Sequence, residues 1–92
     1  MTEYSKLPAH MQEGARLYIV FGIKPGSFLT AVLSNDFMKA FMCADGVNTA
    51  ALRDWAIWLH NDAPCGCYGS PAKVAAWIAK GGEHGKAEAV AS

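Results

Sequence analysis

Neither sign of charge prevails in this sequence. Eight Lys plus Arg balance eight Asp plus Glu, which argues against a protein that lives mainly on phosphate attraction and so against non-specific DNA binding. Charge of either sign is sparse: charged residues make up 17 % of the chain and hydrophobic residues 52 %, too apolar a balance for a disordered segment. Long hydrophobic runs are missing as well. No stretch approaches the roughly 18 uninterrupted apolar residues of a membrane span. The residues before Leu7 include Glu3, Tyr4 and Lys6 and lack the apolar centre of a secretory signal, so the expected address is the cytoplasm. Cysteine is scarce and odd in number, with Cys43, Cys65 and Cys67. Cys65-Gly66-Cys67 is too tight for a routine structural disulfide, and reduced thiols suit a cytosolic chain. Strand signals are absent too: Tyr18 to Phe21 has strand-like residues, but one isolated strand would have no partner.

What is present is a succession of short helical patterns within 92 residues, enough chain for one domain. Pro8 opens the first, where its missing N–H is harmless. Met11, Ala15, Tyr18 and Phe21, with Leu17 alongside, form its apolar face against Gln12, Glu13 and Arg16. Gly22 supplies the stop. Lys24-Pro25-Gly26-Ser27 reads as a turn, with Ser27 placed to cap a second helix from Phe28. Ser34-Asn35-Asp36 interrupts that apolar run before Phe37, Ala40 and Phe41 resume it, and periodicity does not decide between one helix and two. Ala44-Asp45-Gly46-Val47-Asn48 is a breaker from which Asn48 is expected to start the next helix. That helix, from Thr49 to His60 or Asn61, carries Leu52, Trp55, Ala56 and Leu59 on one stripe. A loop through Pro64 and Tyr68 ends at Ser70-Pro71, a capping serine with proline in the first helical position. Val74, Trp77 and Ile78 point the last helix inward, and Gly81 ends it. The pattern predicts an all-α fold, a compact bundle of four to five short helices: residues 1–6 an N-terminal extension, 7–81 the helical domain and 82–92 a flexible tail.

Several constellations carry chemistry in principle. Cys43, His60, Cys65 and Cys67 offer a soft ligand set for tetrahedral zinc, although one intervening glycine gives two sulfurs little freedom to meet one ion. A cysteine nucleophile could draw on His10, His60 or His84 as base, yet none sits in a recognisable catalytic motif. Asp36, Asp45 and His60 are the members of a small hydrolase or metal-dependent site, if they meet. Gly22 to Ser27 holds a lysine and a serine before a helix but lacks the order of a P-loop and has no strand before it. Ser34, Asn35, Asp36, Asp45, Asn48 and Asn61 gather at helix ends and breaks, where capping and ligand recognition compete as explanations. Trp55, Trp58, Trp77, Tyr68 and Phe41 exceed what one small core obviously needs. A ring left outside favours association, and a helical homodimer is expected on that ground.

Leu7-Pro8-Ala9-His10-Met11, Tyr18-Ile19 and the long segment Gly22-Ile23-Lys24-Pro25-Gly26-Ser27-Phe28-Leu29-Thr30-Ala31-Val32-Leu33-Ser34-Asn35-Asp36 together resemble a family of small proteins encoded by bacteriophages and prophages. Ala44-Asp45, Asn48, Trp58-Leu59, Asn61-Asp62-Ala63-Pro64 and Tyr68-Gly69-Ser70-Pro71, with Val74 and Trp77, continue the pattern, which covers about residues 7–82. The family pattern requires neither Cys43 nor Cys65. The resemblance implies no enzymatic activity and no cofactor. It implies a phage accessory protein that acts in the host bacterial cytoplasm and binds a host component, either a defence complex or a signalling nucleotide. The expected contact groups are Asn35, Asp36, Asp45, Asn48, Asn61 and Tyr68 for a protein or ligand. A nucleotide would further require Lys24, Arg16 or Arg53 near a helix N-terminus.

Overall fold

The computed structural model describes residues 2–85, all helix, turn and loop without a strand among them. Six helices follow one another: α1 (Ala9–Phe21), α2 (Ser27–Leu33), α3 (Phe37–Cys43), α4 (Gly46–Ala50), α5 (Leu52–Asn61) and α6 (Pro71–Lys80). Residues 82–85 add one further helical turn. This is the all-α class expected, with more and shorter helices than the sequence pattern suggested. The remainder of the expected tail lies outside the described residues.

Local chemistry explains most boundaries. Pro8 occupies the N-cap position of α1, and Gly22 ends the helix at φ 69°, its N–H returning to the α1 carbonyls. Ser70 caps α6 through a hydrogen bond from the Lys73 N–H, Pro71 follows it, and Gly81 closes the helix at φ 84°. The Ser34-Asn35-Asp36 interruption is a real break. Asn35 takes φ 63°, a conformation asparagine tolerates better than most residues. The Asp36 N–H then reaches back 2.9 Å to the Ala31 carbonyl, and Asp36 accepts from the Lys39 N–H to begin α3.

Two expected caps moved. Gly26, not Ser27, holds the N-cap position of α2, and no side chain caps that end. Asn48 does not start a helix, because Asp45 accepts its backbone N–H at 2.7 Å and so begins α4 three residues earlier. Asn48 thereby becomes an interior residue of α4, free to turn its side chain inward. The expected helix from Thr49 is split at Ala51, which separates α4 from α5.

The core sits where α1, α2, α5 and α6 converge. Tyr18, Ile19, Leu29, Leu33, Trp55, Trp58 and Cys67 are its largest fully buried side chains. Phe28 meets Trp55 edge-on with centroids 5.6 Å apart, and Trp55 meets Trp58 at 5.9 Å. Each ring removes about 200 Å² from water, roughly 5 kcal/mol at about 25 cal/mol per Å². An indole N–H needs an acceptor when buried, and all three find one in a different segment. Trp55 donates to Asn48 Oδ1 at 3.1 Å, Trp58 to the Glu3 carbonyl at 2.7 Å, and Trp77 to the Tyr18 carbonyl at 2.9 Å.

The Trp58 bond fastens the N-terminal segment. Glu3 is drawn onto α5 by Trp58, Tyr4 packs its ring 6.0 Å from that indole, and Lys6 pairs with Asp62 at 3.1 Å. The segment from Glu3 to Lys6 is thus docked against the helical body. At the opposite end, Gly22 and Gly82 meet backbone to backbone. A Cβ on Gly22 would stand 2.7 Å from the Gly82 nitrogen, and one on Gly82 would stand 2.6 Å from the Gly22 nitrogen. Only a residue without a side chain lets the ends of α1 and α6 approach so closely.

Candidate functional site

The break between α2 and α3 opens a groove of about 230 Å³. Val32 and Ala31 of α2, Phe37 and Ala40 of α3, and Leu52, Trp55, Ala56 and Leu59 of α5 line it. Asn35 and Asp36 supply the polar part of the wall. An apolar concavity with a few polar groups in its wall is the usual form of a recognition site. It exists because the Asn35 turn sends α3 off the path of α2, leaving α5 uncovered beside Ala40.

The six residues expected to make contacts fall into separate places. Asn35 and Asp36 are both at the groove, with Asp36 also capping α3. Asp45 and Asn48 form a different unit. Asp45 Oδ1 accepts the Asn48 N–H, Asp45 Oδ2 lies 3.1 Å from His10 Nε2, and the buried Asn48 amide accepts from Trp55. The Asn48 N–H bond, followed by His10, holds the Asp45 carboxyl below its ordinary range. Asn61 stands exposed at the end of α5, and Tyr68 is half-buried against the core. The chain therefore unites Asn35 with Asp36, and Asp45 with Asn48, while Asn61 and Tyr68 belong to neither pair.

The ligand and nucleophile sets do not assemble. Among the described residues no three His, Cys, Asp or Glu side chains come together as a group that could hold a metal ion. Cys43, His60, Cys65 and Cys67 are accordingly not a ligand set, nor are Asp36, Asp45 and His60. Cys43 and Cys65 are exposed free thiols, whereas Cys67 is buried. Burial pushes the Cys67 thiol up to about 12, the opposite of the activation a nucleophile needs. Tyr18 donates its hydroxyl to the Cys67 carbonyl at 2.7 Å, and burial raises the phenol well above its ordinary value.

Of the cations proposed for a nucleotide, Arg16 is held by Glu13 through two bonds of 2.7 and 3.0 Å. Lys24 is exposed beside the start of α2, and Arg53 is exposed on α5.

Of the expected apolar stripe Phe37, Ala40 and Phe41, the structure turns one member inward. On α3 only Ala40 is buried, while Phe37, Met38, Phe41 and Met42 stand exposed. The signal was available. A seven-residue helix with apolar side chains at positions 37, 38, 40, 41 and 42 is apolar on more sides than one core contact can cover. Comparison with known protein families, curated proteins and solved structures finds no match to this chain.

Proposed function

We propose that this chain works by binding and not by turnover, as a phage-type accessory protein of the host bacterial cytoplasm that inhibits or modulates a host component. One observation carries the reading: the groove between α2, α3 and α5 is apolar in its lining, with Asn35 and Asp36 in its wall. Several side chains that could perform chemistry are meanwhile occupied in holding the fold. Asp36 and Asp45 cap helices, Asn48 holds Trp55, and Tyr18 holds the Cys67 carbonyl. The groove's volume suits one large apolar side chain, and its amide and carboxylate suit the backbone N–H and C=O groups on either side of that residue. The occupant is therefore a segment of a host protein, such as a subunit of a defence complex. No helix of the described residues is long and apolar enough to cross a membrane.

A signalling nucleotide is the second reading. Lys24 stands exposed before α2 and is the cation that an anionic ligand would meet.

Affinity capture from bacterial lysate, read by both protein and small-molecule mass spectrometry, tests the proposal against an Ala56→Phe variant. Ala56 is an exposed groove residue, so the added ring fills the groove with little effect on the core. A host protein enriched by the wild type and lost with A56F is the expected result. A nucleotide enriched by both and lost with Lys24→Ala transfers the function to the second reading. Reproducible absence of any enriched partner overturns the binding proposal.

A further inference from the structure

Phe37, Met38, Phe41 and Met42 are 70 %, 69 %, 50 % and 77 % exposed. Positions i, i+1, i+4 and i+5 share one side of a helix, so these four form a single ridge along α3, with the Phe37 and Phe41 rings 6.3 Å apart. We infer that this ridge is an interface between two copies of the chain.

Three observations select a second copy as the occupant. The first is area. Four large side chains exposed to this degree present about 500 Å² per copy, near the top of what a monomer normally leaves in one patch and most of the roughly 800 Å² per partner of a standard interface. The second is charge. The chain has no net charge, so two copies approach without overall repulsion. Lys39 is the one charged residue within α3, which leaves the ridge with the charge-depleted, aromatic and methionine-rich character of an interface centre. A two-fold pairing requires only that the ridge complement itself, and flexible methionines beside two phenyl rings meet that requirement through apolar contacts alone.

The third is the stability of α3. Seven residues are too few for a helix to hold in water by propensity, and α3 buries only Ala40 against its own domain. A second ridge laid on the first gives this helix the packing that the domain does not provide. The inference is independent of the groove's occupant, although Phe37 borders both surfaces.

Sedimentation of the full chain from micromolar to millimolar concentration tests it. The wild type is expected to show a concentration-dependent dimer, and Met38→Glu with Met42→Glu is expected to weaken that dimer by at least about 100-fold. Both sites are exposed, and circular dichroism verifies that the helices persist. Ala76→Glu, at an exposed position of α6, adds like charge on a helix other than α3 and is expected to leave the dimer intact. Hydrogen exchange supplies the second readout, with α3 amides slowing as the protein's own concentration rises. A chain monomeric throughout the range overturns the inference, as does a dimer unaffected by the glutamates. A monomer whose α3 amides slow only when lysate is added also overturns it, and assigns the ridge to a foreign partner.

Discussion

Replacing Asn48 by alanine separates a structural asparagine from a recognition group. The Asn48 amide is buried at 3 % exposure, and its Oδ1 is the acceptor for the Trp55 indole N–H at 3.1 Å. Asn48→Ala removes the acceptor and leaves that N–H buried without a partner, since Trp55 itself is 1 % exposed. A stranded buried donor costs about 1–3 kcal/mol. For a domain of this size each kcal/mol corresponds to about 4–8 °C, so a loss of about 2 kcal/mol lowers Tm by roughly 10 °C. Trp55→Phe keeps an aromatic ring but deletes the donor, which allows a double-mutant cycle. The two changes together are expected to cost less than their sum by about 0.5–3 kcal/mol, because the second removes the group that the first stranded. Urea unfolding monitored by far-ultraviolet circular dichroism measures all four corners. A change in Tm below about 2 °C for N48A, or strict additivity in the cycle, would refute the assignment and return Asn48 to the contact surface.

Gly22→Ala is expected to destabilise by at least about 1–2 kcal/mol from its left-handed backbone alone. The Gly82 nitrogen 2.7 Å from the new Cβ adds to this, and an unchanged denaturation midpoint would contradict it. Cys43 and Cys65 are exposed and Cys67 is buried, so thiol titration with a chromogenic disulfide should show two prompt thiols and one that reacts only on unfolding. The Asp45 carboxyl is held below its ordinary value, so its contribution is full above the unfolded value near pH 4 and is lost as pH falls through the lower folded value. The Tm difference between wild type and Asp45→Asn should consequently shrink on acidification. A gap that stays constant from about pH 6 to well below about pH 3 would contradict that sign.

The parts of the fold legible in the sequence are those decided by adjacent residues. Ser70-Pro71 and the terminal glycines Gly22 and Gly81 mark helix ends because their effect needs no distant partner. The Asp45-to-Asn48 stretch misleads for the same reason: both residues are good caps, and Asp45 takes that role through the Asn48 N–H while the Asn48 side chain accepts from Trp55. Partners of the other two indoles lie 55 and 59 residues away in sequence, beyond any local pattern. Phe37, Ala40 and Phe41 read as an apolar stripe because spacing reports that a face is hydrophobic, without reporting whether a core remains to receive it. Two of the six expected contact residues behave likewise, their polarity used within the fold: Asp45 caps α4 and Asn48 holds Trp55. Asn35 and Asp36 form the turn between α2 and α3 and line the groove.

The aromatic count and the exposed ridge have one physical origin. Phe28, Trp55 and Trp58 pack edge to face, while Trp77 packs against Tyr18, so the interior of so small a domain is filled by five rings. Each indole must also reach an acceptor, which fixes its orientation and ties α4, α1 and the N-terminal segment around the core. Phe37 and Phe41 are not among these rings and stand exposed. Four large apolar side chains on α3 instead stand in solvent, which is unfavourable relative to covering them. Neutral overall charge removes the repulsion that would otherwise keep such faces apart. The same packing that builds the interior from three tryptophans leaves the exposed apolar ridge on a helix that buries only Ala40.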